Sequence, residues 1–356
     1  MKRILFISAL MLAMGINSSF SQNDSIRKEY AVRDTISEDI ILFDSDELLD
    51  IELRFNITQY RRKRDKSEYL DATLTYHVSQ DDSIIKYLKI RPRGISRLTI
   101  CDFPPLLLNF KKNDAVPGEF NRVDKIKMVT HCSAGGEDNL LREFLVYKMY
   151  NVLTDYSFRV RLLRVNYVNS EKPDKKQVRE FAFLIEPVKS LGKRTNSVEV
   201  ETAHVTQLHI KREIMDRMAI FNYMIGNTDW SVPTRHNTLT MTEGSYGGLG
   251  SAIIVPYDFD YAGVVNTHYA VPFEGLGLES VRQRRYLGVC RTEQEFSEAL
   301  VEFMEKKEEI YRVINDFPYL SGKSKKDMIN YLEGFYRSLD KRNSIINSLR
   351  RDCIII

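Results

Sequence analysis

At 356 residues the chain is long enough to bury a sizeable core, and its 43% apolar and 28% charged composition excludes disorder along the whole length. A formal net charge of +3 is too small to argue for nucleic acid as a partner. Beyond Ile16 no run approaches the ~20 apolar residues a membrane-spanning helix needs, so no transmembrane segment is expected.

Met1-Lys2-Arg3 followed by an apolar stretch to Ile16 and small residues at Ser19 and Ser21 predicts a signal peptide over 1–21. The mature chain is therefore expected in the periplasm, at the cell envelope or secreted. In such an oxidising compartment the four cysteines have three possible pairings, and their grouping favours Cys101 with Cys132 and Cys290 with Cys353. Buried free thiols are the alternative. Residues 22–45 are polar and acidic, which predicts a tether.

From Leu48 the pattern becomes strand-like. Polar and apolar residues alternate over 50–57 and again over 71–76, with the basic run Tyr60 to Lys66 between them expected as a solvated turn or strand edge. Strands around Tyr87–Ile90 and Leu106–Phe110 flank a turn with Arg91, Arg93 and Arg97 beside Gly94, a set able to offer planar donors to phosphate or to pair with acidic neighbours. Lys125–Val129 is a short strand and Leu140–Leu153 an amphipathic helix, placing Lys127 and Glu143 on consecutive elements. Two more strands, 158–168 and 178–185, end at Glu186-Pro187, and helices dominate afterwards. That shift puts a domain boundary near residue 190.

The second half opens with an amphipathic helix over about 207–225 that stops at Gly226 and delivers Asn227 and Asp229 into a loop. A hairpin follows, with strands over 238–241 and 251–256, bringing Asn237 and Asp258 to its outer ends. Residues 266–291 are irregular and rich in arginine, suiting a substrate segment or a plain surface loop. Two long helices are expected beyond them, over 292–315 and 324–349.

The chemistry concentrates in 221–262. Asp and Asn supply oxygen ligands that suit magnesium, and a loop aspartate suits a base for an attacking hydroxyl. Asn227-Thr228-Asp229-Trp230, His236-Asn237 and Pro256-Tyr257-Asp258-Phe259-Asp260-Tyr261 resemble the catalytic and metal-binding segments of the spore coat protein H kinase-like family. Upstream, Arg93-Gly94-Ile95-Ser96, Lys127, Leu140-Leu141-Arg142 and Phe183-Leu184-Ile185-Glu186 resemble its turn, lysine strand, helix start and hinge, in the same order. The resemblance implies an α+β, two-lobed protein-kinase-like fold, with a β-rich N-lobe over 46–190 and a mainly helical C-lobe over 191–356.

It also implies roles for single residues. Asp229 would be the catalytic base; Asn237, Asp258 and Asp260 would hold Mg²⁺ or Mn²⁺; Arg93, Lys127, Glu143 and Glu186 would serve ATP, with Glu143 pairing Lys127. The implied activity is transfer of phosphate from ATP to a hydroxyl on an unidentified protein or small molecule, or transfer of AMP from the same site. A spacing of eight positions between Asp229 and Asn237, against five in the ordinary kinase loop, and the missing Gly-rich loop depart from the kinase pattern. A non-catalytic binding or adhesion protein of the envelope is the alternative from another class.

Overall fold

A computed structural model describes residues 40–77, 82–110, 118–174, 177–201 and 204–356. The signal peptide and most of the tether expected from the sequence lie outside them. Seven strands make the first layer: β1 (Leu49–Phe55), β2 (Leu70–His77), β3 (Ser83–Pro92), β4 (Leu106–Phe110), β5 (Lys125–Val129), β6 (Val160–Asn169) and β7 (Val178–Ile185). Period-2 alternation sets which side chains face inward, as in β1, where Leu49, Ile51, Leu53 and Phe55 are buried and Asp50 is exposed. Each strand sends one fully buried side chain to a common interior: Leu53, Leu74, Ile90, Leu108, Met128, Leu163 and Leu184.

These strands close into a barrel in the order β1-β2-β3-β4-β5-β7-β6. Closure comes from β1, which pairs antiparallel with β2 and parallel with β6, so that Leu53 lies opposite both Leu74 and Tyr167. The seam gives the first and sixth strands a neighbour on both sides and removes the open edges of the sheet. This corrects the expected two-lobed protein-kinase-like fold, whose N-lobe is an open twisted sheet. The barrel argues equally against the kinase-like, spore coat protein H framing drawn from the sequence.

The basic run after β1 is a second correction. Residues Ile57–Lys63 form helix α1 and not a turn or strand edge, because the Asn56 side chain accepts the Gln59 N–H at 2.8 Å and Arg64 ends the helix with φ +47°. Tyr60 faces the barrel interior, packing edge-on against Phe55 and donating its hydroxyl to the Pro104 carbonyl at 2.6 Å.

A second core gathers around helices α3 (Glu137–Leu153) and α5 (Arg212–Ile225). Between β3 and β4 lies a one-turn helix, α2 (Ser96–Ile100), and after β7 come α4 (Val188–Arg194) and the short strand β8 (Val198–Glu199). β8 joins the hairpin β9 (Thr238–Thr242) and β10 (Ala252–Pro256) in a three-stranded sheet of order β10-β9-β8. Each of the two long helices expected near the C-terminus is broken once, giving α6 (Glu293–Glu305), α7 (Lys307–Asn315), α8 (Gly322–Asp340) and α9 (Arg342–Asp352).

Both favoured disulfides are present, Cys101–Cys132 and Cys290–Cys353. The first ties the residue after α2 to the stretch between β5 and α3; the second ties the segment before α6 to the residue after α9. The arginines of 266–291 are committed to packing. Arg282 bonds Asp327, Arg284 donates to the carbonyls of Met224 and Tyr331, Arg285 pairs with Asp352, and Arg291 with buried Asp216.

Candidate functional site

Phe259 is the local anchor. Its ring is fully buried between Tyr147 and Phe221, at centroid distances of 4.8 and 6.0 Å, so the aspartates on either side of it leave the apolar core. Asp258 has φ +61° and Asn237 φ +51°, a left-handed backbone that Asn and Asp adopt more readily than other non-glycine residues. In the hairpin Thr238 pairs with Pro256, and the Tyr257 N–H donates to the Asn237 carbonyl at 3.0 Å, which brings the two ends together as the sequence predicted.

Arg97 on α2 is the centre of the acidic half. Its Nη2 lies 2.6 Å from Glu143 Oε2 and 3.3 Å from Asp258 Oδ1, and its Nε lies 2.8 Å from Asp260 Oδ2. Tyr269 also donates to Asp260 Oδ2, at 2.9 Å, and the Asp258 N–H donates to the Tyr147 hydroxyl oxygen at 2.8 Å. The side chains of Arg97, Glu143 and Asp260 keep at most 8% exposure, whereas Asp258 keeps 40%. Asp258 is therefore the member that faces solvent.

Three carboxylates share one guanidinium, so the fully ionised cluster carries two negative charges in excess. Burial and the Arg97 charge oppose each other at Asp260; Arg97, with its hydrogen bond and that of Tyr269, prevails and holds this carboxyl below its usual range. At Glu143 burial wins, because Arg97 is already divided, and the carboxyl is pushed up to about 8. Loss of water around Asp258, then the charge of Asp260, raises Asp258 as well. Glu143 Oε1 has no hydrogen-bond partner among the described residues.

A pH dependence follows. Glu143 holds its proton more tightly folded than unfolded, so its contribution to stability is complete below about 4.5 and disappears as pH rises through about 8. Without divalent cation, melting temperatures at pH 5 and pH 8 are expected to differ more in the native chain than in Glu143→Gln. An equal difference in both would contradict the assignment.

The expected Lys127–Glu143 pair does not form. Lys127 on β5 sits with its ammonium 5.3 Å from the Tyr257 ring centroid, and no ion pair among the described residues includes it. Burial, then the neighbouring Arg93 charge, lowers its proton affinity, while Asp258 and Glu199 act the other way. Arg93, fixed through its backbone N–H to the Pro105 carbonyl at 2.8 Å, also opposes the rise at Asp258. Two cations thus flank the exposed carboxylate. Glu186 is elsewhere, with its carboxylate bound to Arg194 Nη2 at 2.9 Å and to the Arg159 N–H at 3.1 Å. Arg91 is also structural, donating to the Lys66 carbonyl and lying 5.2 Å from the Tyr69 ring centroid.

Asp229 forms the second half of the site. The C-cap of α5 at Gly226, φ +68°, turns the chain so that buried Asn227 bonds Asn222 at 2.8 Å and accepts the Asp229 N–H at 3.1 Å. Asp229 Oδ1 lies 2.8 Å from His236 Nε2, and Asn237 Nδ2 donates to Oδ2 at 2.9 Å and to the Asp229 carbonyl at 2.8 Å. The carboxylate is oriented on both oxygens yet its side chain remains 34% exposed. Burial, then the charges of Asp260 and Asp229, raises the proton affinity of Tyr261, which lies near both halves.

No group of three or more His, Cys, Asp or Glu among the described residues makes a metal cage. Magnesium commonly takes only one or two carboxylates along with waters and substrate phosphates. Asp258, the partly exposed member of a cluster with excess negative charge, fits that role, with Asn237 at the neighbouring strand end. Asp260 Oδ2 is occupied by Arg97 and Tyr269, and Asp260 is the less suitable ligand.

Arg97, which the sequence left between phosphate contact and pairing with acidic neighbours, takes the second role as a buried counter-ion. Tyr147 and Tyr269 carried no signal, since a tyrosine in an apolar helix and one in an irregular loop have nothing in their local pattern to mark them. Fold and site together define a barrel-plus-helix protein with an acidic, solvent-facing centre. No family model matches the chain, and no curated protein matches it.

Proposed function

We propose that the chain is an exported, divalent-cation-dependent phosphotransferase that moves the terminal phosphate of ATP to a hydroxyl of a protein or small molecule. The observation that carries this reading is the pairing of an oriented, accessible carboxylate, Asp229, with an exposed carboxylate, Asp258, flanked by Arg93 and Lys127. Two formed disulfides support an oxidising compartment. Among the described residues no helix is long and apolar enough to cross a membrane.

Asp229 accepts the proton as the acceptor oxygen forms its bond to phosphorus, and the bond from phosphorus to the bridging oxygen breaks to release ADP. His236 and Asn237 hold both Asp229 oxygens in place for that transfer. Arg93 and Lys127 offset phosphate charge. Asp258 and Asn237 would hold Mg²⁺ or Mn²⁺, which supplies further charge neutralisation when bound.

The test is turnover of Mg·ATP by the mature chain, followed by mass spectrometry of products. Asp229→Asn is expected to lower the rate about 10²–10⁴-fold with nucleotide affinity retained. An AMP adduct in place of phosphate would reassign the transferred group. Absence of both turnover and nucleotide-dependent stabilisation at millimolar ATP would remove the reading and leave a non-catalytic binding protein.

A further inference from the structure

The basic run expected as a solvated edge lines a groove. α1, the end of β6 and the start of β7 border an open groove of about 540 Å³ lined by Arg61, Arg62, Lys172, Thr58, Asn169 and Tyr167, among others. That volume lies within the range of small-molecule sites. None of the ion pairs among the described residues includes Arg61, Arg62 or Lys172, although Lys63 beside them pairs with Glu68 at 2.8 Å. The nearby acid Glu171 is held by the Asn56 amide at 2.6 Å. Arg61 is additionally fixed with its guanidinium 5.6 Å from the Phe103 ring centroid.

Tyr167, 2% exposed and packed edge-on against Phe103 with 4.8 Å between ring centroids, closes the floor, which leaves polar contacts to the rim. Thr58 and Asn169 bond each other at 3.0 Å at the rim and still have acceptor and donor capacity for a polar molecule.

We propose that this barrel end is a second binding site, separate from the Asp229 and Asp258 centre, for a small polar ligand bearing an oxyanion. Arg61, Arg62 and Lys172 take the anionic group, and Thr58 and Asn169 at the rim hydrogen-bond the ligand body. Phosphate and carboxylate share the required chemistry.

The experiment titrates the full mature chain calorimetrically with inorganic phosphate and, in a second arm, with glucuronate. Binding of either, weakened about tenfold or more in Arg62→Gln/Lys172→Gln and unchanged in Lys63→Gln, is the expected result. The responding arm identifies the anion. No binding of either probe at millimolar concentration, or equal weakening in Lys63→Gln, overturns the proposal. Asp258→Asn is expected to leave this binding intact; its loss there would locate the anion at the other centre and also overturn it.

Discussion

Asp258→Asn is expected to abolish the rise in melting temperature that Mg·ATP produces, while leaving the ligand-free protein as stable as the native chain or slightly more so. The substitution keeps a residue that tolerates the φ of +61° and an oxygen for Arg97, whose bond to Asp258 is the longest of its three at 3.3 Å. It removes one of the two excess negative charges of the cluster, which is why the apo protein does not suffer. Ligand at a hundred times its dissociation constant stabilises the native chain by about 2.7 kcal/mol, and that increment should vanish. Thermal melts with and without Mg·ATP read both quantities from the same samples.

Arg97→Met has the opposite profile, a large loss of stability in the absence of any ligand. Arg97 is the shared counter-ion of Glu143 and Asp260, both nearly inaccessible to water, and removing one partner of a buried ion pair leaves charges that neither solvent nor protein compensates. The expected cost is about 3–5 kcal/mol, read as a lower urea midpoint at unchanged slope. Adding Asp260→Asn should recover part of it, since the carboxyl that Arg97 held ionised is then replaced by a neutral amide. A double variant no more stable than the single one would mean that Arg97 acts through packing of its side-chain stem and not through charge.

The parts of this molecule that were legible in its sequence are those decided locally. Alternation in 50–57 and 71–76 marked β1 and β2, the apolar stripe ending at Gly226 marked α5, and the 238–256 region marked a hairpin whose ends bring Asn237 to Asp258. Cysteine grouping pointed to both disulfides. Barrel closure was not legible, because the register of β1 against β6 joins Leu53 to Tyr167 across more than a hundred residues and leaves no mark on either strand's own pattern. The kinase-like expectation failed at that seam.

The site was legible by composition and misread in its pairing. A strand lysine followed by a helix glutamate predicted Lys127 with Glu143, yet Arg97 of α2 takes Glu143 and the Lys127 ammonium lies over the Tyr257 ring. Five donors on a planar group allow arginine to serve three carboxylates at once, which a lysine ammonium does less well. Helix α1 was misjudged for a related reason: its run of charge hides the single buried Tyr60, and the Asn56 cap that starts it is one residue among many with cap-forming side chains.

The central claim is that Asp258, with Asn237 beside it, is where a divalent cation meets nucleotide phosphate. Crystals soaked with Mn²⁺ and a non-hydrolysable ATP analogue test it most directly, through the anomalous signal of manganese. The account predicts one manganese bound by Asp258 and the nucleotide phosphates, with Arg97 still on Asp260 and Glu143. Manganese bound elsewhere, or nucleotide lying away from Arg93 and Lys127, would contradict it.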